Sequence, residues 1–382
     1  MANLCNGNCI TCGKCAAFPI LTQYKSGVLS FEQQDGYGIA IDIGTTTIVL
    51  ALFDLTAGKL ITRHSFLNPQ RKYGPDVISR IKAANEGHVF DLHKLIIIDV
   101  QSGIKSLLAS YGINKLERII IAGNTTMTYL LLALSCQSLG VYPFKPQFNI
   151  ADEYHYTHFF AWAGMNCPVN LIPFFTAFVG GDVLAGLLHV LPEGKRCFLL
   201  IDLGTNGEMA LYDNGKLTVT STAAGPAFEK GQGGASGIIH ELAHLIQMEL
   251  IDETGLLSGS SGFLSQEDVR NLQLAKSAVR SGLELLLETG SVTYEDLETV
   301  YLAGGIGQAI DINDAVSIGL IPPQLKNKTL AVGNASLGGA ARFLLTPEAS
   351  REDMEKLLNN FLEFNLAEHP RFNDCFMEYM GF

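Results

Sequence analysis

One type of segment occurs twice in this chain and limits the folds that it can adopt. An apolar run, a turn with glycine and threonine, and a second apolar run extend over Gly38–Asp54, and a similar segment follows at Cys197–Tyr212. Apolar runs that flank a short polar turn predict a β-hairpin. The two copies lie 160 residues apart, measured from Asp42 to Asp202. The repeat indicates an internal duplication.

A second repeated element follows each hairpin. A buried strand with a glycine turn is predicted at Ile119–Asn124 and again at Val300–Gly305. Amphipathic helices precede these strands, over His93–Tyr111 and Leu272–Leu287, because the apolar residues recur at helical spacing. Each half therefore runs hairpin, helices, strand, glycine turn and helix. This order predicts an α/β fold of two duplicated subdomains with a cleft between them.

The hairpin turns have the chemistry of a phosphate site. Asp42 and Asp202 each end a strand, and a glycine-led turn follows, Gly44–Thr47 in one copy and Gly204–Asn206 in the other. Backbone N–H groups of such turns bind phosphate, and carboxylates suit Mg²⁺. No Walker A loop is present. The formal net charge of −12 argues against nucleic acid and anionic membranes as partners.

This combination resembles the ATPase superfamily of actin, sugar kinases and Hsp70 (the ASKHA superfamily), which implies RNase H-like subdomains that bind ATP and Mg²⁺. The resemblance makes Asp42 and Asp202 catalytic residues that hold Mg²⁺. It assigns the following residues to ATP: Gly44, Thr45, Thr46 and Thr47 in the first turn, Gly204, Thr205 and Asn206 in the second, Gln273 and Lys276 on a helix, and Gly304, Gly305 and Gly307 in the adenosine motif.

Asp182 has two interpretations. It follows Gly180-Gly181 and lies 20 residues before Asp202, an offset similar to that of the catalytic Asp in the superfamily's sugar kinases. It is also placed to cap a predicted helix over Val183–Val190, since Asp is a favoured N-cap residue. A single side chain can fill both roles, so Asp182 is a candidate general base and a candidate cap.

Finer motifs resemble a narrower family. They are Asn68-Pro69-Gln70, Tyr73–Arg80, Gly123–Met127, Ala224–Glu229 and Leu272–Lys276. Together they are similar to the reductive activators of corrinoid enzymes, iron–sulfur ATPases of anaerobes, over Gly38 to Phe382. The resemblance implies that ATP drives a low-potential electron onto the cobalt of a corrinoid protein that is in the inactive Co(II) state.

Two features depart from that family. Many members carry a ferredoxin domain and a middle domain before the ATPase. In this chain we expect only a short Cys-rich head before it. The segment after Ala227-Phe228-Glu229 passes directly through Lys230–Gly234 into a predicted helix at Ile238–Ile251, whereas longer members have additional strands. The partner is therefore a corrinoid protein or another reductively activated enzyme.

The head gathers four thiols within one short segment, Cys5, Cys9, Cys12 and Cys15. Its Cys-x2-Cys-x2-Cys portion resembles the iron–sulfur run of bacterial ferredoxins and favours a [4Fe–4S] cluster. A structural zinc site also takes four Cys and is the alternative. The remaining four, Cys136, Cys167, Cys197 and Cys375, are single and are predicted to be core residues.

A second metal motif is the His-Glu-x-x-His match at His240–His244, the signature of zinc proteases. Apolar residues on the same predicted helix leave its two His on a polar flank. No third ligand accompanies them, so a surface helix is the favoured interpretation.

Four domains are predicted: an iron–sulfur head and linker (1–35), ATPase subdomain I (36–176), subdomain II (177–345) and a C-terminal helix and tail (346–382). Alternative functions are an activator of the acyl-CoA dehydratase type and a small-molecule kinase with a zinc knuckle. The expected partners include an electron donor such as ferredoxin, and a homodimer is an open alternative. The apolar stretch Leu171–Leu191 contains Gly180-Gly181 and Asp182, so we expect no membrane span there. Unpaired Cys and the lack of a visible signal peptide favour the cytoplasm.

Overall fold

The computed structural model describes residues 34–382 apart from 149, 151–152, 162–164, 205, 224, 229–233, 259–263 and 308–309. The chain divides into two compact units. The first unit runs to Ala185 and takes in Ser336–Glu352, and the second consists of Gly186–Ala335 and Asp353–Phe382.

The strands of the described residues are β1 (Tyr37–Ile43), β2 (Thr47–Asp54), β3 (Lys59–Leu67), β4 (Arg118–Gly123), β5 (Glu153–His155), β6 (Pro168–Leu171), β7 (Cys197–Leu203), β8 (Gly207–Asp213), β9 (Lys216–Thr222), β10 (Thr299–Ala303), β11 (Thr329–Gly333) and β12 (Phe361–Glu363). The α-helices are α1 (Val77–Ala83), α2 (Val89–Tyr111), α3 (Thr125–Leu131), α4 (Gln137–Gly140), α5 (Gly181–Val190), α6 (Gly234–Gln247), α7 (Gln266–Gly290), α8 (Gly304–Gly307), α9 (Ile312–Ser317), α10 (Ala335–Leu345), α11 (Pro347–Asn359) and α12 (Phe372–Glu378).

Each unit contains one mixed sheet of six strands, and five of the six have the same order in both. The shared order is β3-β2-β1-β4-β6 in the first sheet and β9-β8-β7-β10-β11 in the second; the sixth strand is β5 beside β6 in the first and β12 beside β9 in the second. In both, a predicted hairpin pairs with a third antiparallel strand, and its first strand pairs in parallel with a later one, β1 with β4 and β7 with β10. The predicted fold class, two duplicated RNase H-like subdomains, is confirmed.

Buried apolar residues explain why these segments form a sheet and a helix layer. The side chains of β1 from Gly38 to Ile43 and of β7 are almost all buried, as expected for strands covered on both faces. In the first unit, α2 buries Leu92, Ile96, Val100 and Ile104 at helical spacing against that sheet. In the second unit, α7 does the same with its own apolar face.

The apolar stretch at 171–191 is not a single long helix. Leu171 ends β6, and α5 covers 10 residues from Gly181 to Val190. Among the described residues, no helix combines the length and the apolar character that crossing a membrane requires.

Candidate functional site

In the first unit, Asp42 lies where two parallel strands end side by side. Asp42 of β1 is opposite Ala122 of β4, and Ile43 is opposite Gly123. The Asp42 side chain is 9% exposed, and its Oδ1 accepts a hydrogen bond from Oγ of Ser336 at 2.8 Å. The carboxyl end of this sheet therefore presents a mostly buried, oriented carboxylate.

Asp182 lies in the first turn of α5 in the same unit. Its Oδ1 accepts a hydrogen bond from the backbone N–H of the adjacent Val183 at 2.9 Å. The helix begins at Gly181, so Asp182 lies inside the first turn, and the predicted N-cap position at Asp182 is wrong. Burial and the negative charge of Asp42 raise the pKa of the Asp182 carboxyl above its usual range, while backbone hydrogen bonds oppose the shift. A carboxylate with a raised pKa has the basicity that a general base needs near neutral pH.

Glycine is required where α5 begins. A Cβ on Gly180 would lie 2.4 Å from Cα of Asn124 and 2.7 Å from Oδ1 of Asp182, and one on Gly181 would lie 2.5 Å from the carbonyl oxygen of Ile172. The glycine pair therefore lets Asp182 approach the segment that follows β4.

Asn124 is a site residue that the sequence analysis did not single out. Its Oδ1 accepts a hydrogen bond from the N–H of Met127 at 2.9 Å and so caps α3. Its Nδ2 donates to Oγ1 of Thr45 at 3.0 Å, which fixes a side chain of the first predicted phosphate turn. Asn124 belongs to the motif Gly123–Met127, but its contact with Thr45 spans 79 positions of sequence, so no local pattern predicts it.

In the second unit, Asp202 lies at the corresponding position of β7. The backbone N–H of Gly204 donates to the carbonyl of Asn206 at 2.9 Å, as that of Gly44 does to Thr47 at 3.1 Å. Thr205 lies outside the described residues. Glu208 is directly opposite Asp202 in the antiparallel pair, so the two side chains lie on one face of the sheet. Glu208 is therefore a second carboxylate that the sequence analysis missed.

The predicted adenosine motif lies against the second turn. Gly304 has φ +87°, and a Cβ there would lie 2.4 Å from both Oδ1 of Asp202 and the carbonyl oxygen of Leu203. A Cβ on Gly307 would lie 2.8 Å from the carbonyl carbon of Leu302, whereas one on Gly305 meets open space.

Gln273 and Lys276 are both buried on α7 and are engaged by the C-terminal residues. Nε2 of Gln273 donates to the carbonyls of Thr254 and Met380, each at 3.1 Å. The Lys276 ammonium donates to the carbonyl of Gly381 and lies 5.1 Å from the ring centroid of Phe382. Contact of either side chain with a nucleotide stays a prediction. Such a contact requires the side chain to give up these hydrogen bonds and form new ones to the nucleotide.

The two metal motifs have different outcomes in the structure. Cys5, Cys9, Cys12 and Cys15 lie outside the described residues. In the His-Glu-x-x-His match, His240 and His244 are exposed on α6, and Nδ1 of His240 lies 2.8 Å from Oδ2 of Asp314. Within the described part of the chain, no group of three or more His, Cys, Asp or Glu side chains could hold a metal ion. This agrees with a surface helix.

The four single Cys are all buried. Burial raises the pKa of the Cys136 and Cys167 thiols to about 12 and that of Cys197 to about 11. Such thiols stay protonated at neutral pH and are poor nucleophiles and poor metal ligands.

Curated proteins similar to this chain have names from corrinoid metabolism. The chain is 32% identical to the corrinoid activation enzyme RamQ of Eubacterium limosum, over 89% of this chain and 69% of that protein. It is 26% identical to the [Co(II) methylated amine-specific corrinoid protein] reductase of Methanosarcina barkeri, over 83% of this chain and 71% of that protein.

One solved structure, titled reductive activator for corrinoid, iron-sulfur protein, superposes with a TM-score of 0.81 at 28% identity. The match covers 92% of this chain and 66% of that one, so this chain spans just under two thirds of its length.

Family models match most of the chain. Residues 37–191 match the RACo middle region, and residues 196–239 and 257–382 match the C-terminal domain of RACo, the ASKHA domain. The expectation that a middle domain is missing is therefore wrong, because residues 37–191 match the middle region. These residues contain the first of the two repeated hairpins, and that repeat predicted a first ATPase subdomain. The chain belongs to the RACo family, with both its middle region and its ASKHA domain.

Proposed function

We propose that this protein uses ATP to drive the one-electron reduction of a corrinoid protein from Co(II) to Co(I). The observation that carries the proposal is the carboxylate pair Asp42 and Asp182: Asp42 is buried at the end of a sheet, and its negative charge raises the pKa of Asp182. The same edge geometry recurs around Asp202 in the second unit. The names of the relatives add the corrinoid substrate.

In this proposal each glycine-led turn is a phosphate-binding turn of its own unit, and Asp42 in the first unit and Asp202 in the second are Mg²⁺-binding carboxylates. Mg²⁺ is commonly held by one or two carboxylates together with substrate phosphates, so the donor set fits although no protein-only metal group exists in the described residues. When bound, the ion neutralises charge on the phosphates. Asp182 accepts the proton of the attacking water, and Gly304–Gly307 receives adenosine.

The electron follows a separate route. Cys5, Cys9, Cys12 and Cys15 would hold the proposed [4Fe–4S] cluster, which would supply one-electron transfer between a donor such as a ferredoxin and Co(II). Four thiolates form a complete ligand set for such a cluster. Hydrolysis of ATP to ADP and phosphate supplies the free energy, since each ~1.4 kcal/mol shifts a one-electron equilibrium by about 59 mV.

Cobalt reduction should depend on ATP. With the reduced protein and a Co(II) corrinoid protein, we expect the visible spectrum of Co(I) to form with MgATP and not without nucleotide. Asp202→Ala should abolish the ATP-dependent rate, while Asp213→Ala, at the other end of the same hairpin, should retain it. Equal rates with ATP, without ATP and in Asp202→Ala would contradict the proposal.

The head should contain iron. After anaerobic purification, we expect iron and acid-labile sulfide in nearly equal amounts, about four of each per chain, and a cluster signal in the EPR spectrum after reduction. Cys9→Ser should lose most of this iron, while Cys375→Ala, a buried core position, should keep it. Zinc without iron would instead favour the kinase alternative.

A further inference from the structure

A fully buried arginine lies directly behind the first predicted phosphate turn. Arg80 is 0% exposed, and the sequence analysis gave it no role beyond a family motif. Its Nη2 donates to the carbonyl of Thr45 at 2.6 Å, its Nε to the carbonyl of Gly74 at 3.1 Å, and its Nη1 to Sδ of Met127 at 3.4 Å. All three acceptors are neutral groups.

Local sequence explains how the guanidinium reaches this position. Asp76 and Ser79 form a capping box that starts α1, which places Arg80 one turn inside the helix. A Cβ on Gly74 would lie 2.0 Å from Oγ of Ser79, so only glycine fits there. The motif Tyr73–Arg80 thus positions the Arg80 guanidinium against the turn.

Asn68 holds the same turn from the neighbouring segment. Its Nδ2 donates to the carbonyl of Gly44 at 2.9 Å, and its backbone N–H donates to the carbonyl of Thr46 at 2.9 Å. With Arg80 on Thr45, three successive carbonyls of the turn accept hydrogen bonds from these two residues. In a trans peptide the N–H points away from the C=O, so the N–H of Thr45 points away from the Asn68 side chain and that of Thr46 points away from Arg80.

The charge of Arg80 is not matched by a close carboxylate. Within the described residues Arg80 forms no ion pair, although the more distant Asp76 favours its charged form. Burial lowers the pKa of Arg80 to about 10, which leaves it protonated at neutral pH. Burial of a charge without a paired ion is costly, and the three hydrogen bonds to neutral groups offset part of that cost.

We propose that Arg80 and Asn68 are positioning residues for the nucleotide phosphates: they fix the turn Gly44–Thr46 with the N–H groups of Thr45 and Thr46 toward the phosphate. Arg80 also polarises the peptide between Thr45 and Thr46 by its hydrogen bond, which strengthens the N–H of Thr46 as a donor. This inference rests on the proposed ATP function, and it adds a source of phosphate affinity that does not touch the ligand.

The test compares ligands that differ in phosphate. Binding of MgATP, MgADP and adenosine is measured for the wild type, Arg80→Met, Arg80→Lys and the control Arg71→Met, which removes an exposed arginine of the same segment. Arg80→Met should weaken MgATP and MgADP about 10- to 100-fold, the range of a charge-assisted hydrogen bond, and change adenosine less than about 2-fold. Arg80→Lys keeps the charge and should lose about 3- to 10-fold for MgATP and MgADP.

The outcomes separate this role from a structural one. An MgATP affinity in Arg80→Met equal to that of Arg71→Met, or a loss of the same size for adenosine, overturns the role of Arg80. A urea unfolding midpoint reports whether Arg80→Met folds, and if it does not, the same comparison is decided by Arg80→Lys. Failure of the wild type to bind MgATP overturns the proposed function itself and this role with it.

Discussion

Replacing Asp182 by asparagine is expected to lower the rate of ATP hydrolysis by about 10²- to 10⁴-fold, the usual contribution of a general base. An amide cannot accept the proton that a carboxylate takes from the attacking water. Asparagine keeps the size of the side chain, and its Oδ1 can still accept the hydrogen bond from Val183, which is 2.9 Å in the wild type. MgATP affinity should therefore change far less than the rate. Single-turnover hydrolysis and direct binding measurements distinguish the two.

Asp91 offers a matched control for this substitution. It also lies in the first turn of a helix of the first unit, but it is exposed and paired with His88 at 3.0 Å. Asp91→Asn removes the same charge from a helix N-terminus and should leave hydrolysis unchanged. If both variants hydrolyse ATP at the wild-type rate, Asp182 is not a general base.

The pH dependence gives Asp182 a second signature. Burial and Asp42 raise the pKa of Asp182, so hydrolysis should increase with pH through that raised value, because the base must be deprotonated. Stability should run in the opposite direction. In the unfolded chain the pKa of an Asp carboxyl is about 3.9. The stabilisation from the protonated Asp182 is therefore complete below that pH and is lost as the pH rises through the raised pKa of the folded state. Thermal melts from about pH 5 to 8.5 should decline less in Asp182→Asn than in the wild type.

The sequence was sufficient for the fold class because its strongest signals are local. Apolar runs around a glycine turn specify each hairpin, and helical spacing specifies α2 and α7. Elements with weak patterns were missed: almost all of β3 is half-buried, so its residues do not alternate. α7 starts at Gln266, six residues before the predicted Leu272, because Ser265 and Asp268 form a capping box upstream of the apolar spacing.

The site was harder to predict because its contacts are long-range. Ser336 binds Asp42 across 294 positions of sequence, and no local pattern connects the two. Arg80 reaches Thr45 across 35 positions and is recognisable only once α1 is placed behind the turn. Glu208 was missed for a different reason. Its position opposite Asp202 depends on the strand register, and the hairpin pattern alone does not specify that register.

Gly304→Ala is expected to destabilise the second unit by about 2–5 kcal/mol, as the sum of a left-handed backbone penalty and overpacking. The residue has φ +87°, and the new Cβ would lie 2.4 Å from Oδ1 of Asp202. Relief of that contact moves a carboxylate that we propose for Mg²⁺, so MgATP binding should be lost as well. Urea unfolding and nucleotide titration measure the two effects.

The adjacent Gly305→Ala separates fold from ligand. A Cβ on Gly305 meets no atom within 4 Å, so its unfolding free energy should stay within about 0.5 kcal/mol of the wild type. If adenosine approaches this turn closely, the added methyl should nevertheless weaken MgATP binding by about tenfold, since overpacking costs about 1–3 kcal/mol. Wild-type affinity in Gly305→Ala would remove Gly305 from the adenosine site. Equal destabilisation of both variants would contradict this explanation, because Gly304 has a positive φ and its added Cβ would meet Asp202 and Leu203, whereas Gly305 has neither feature.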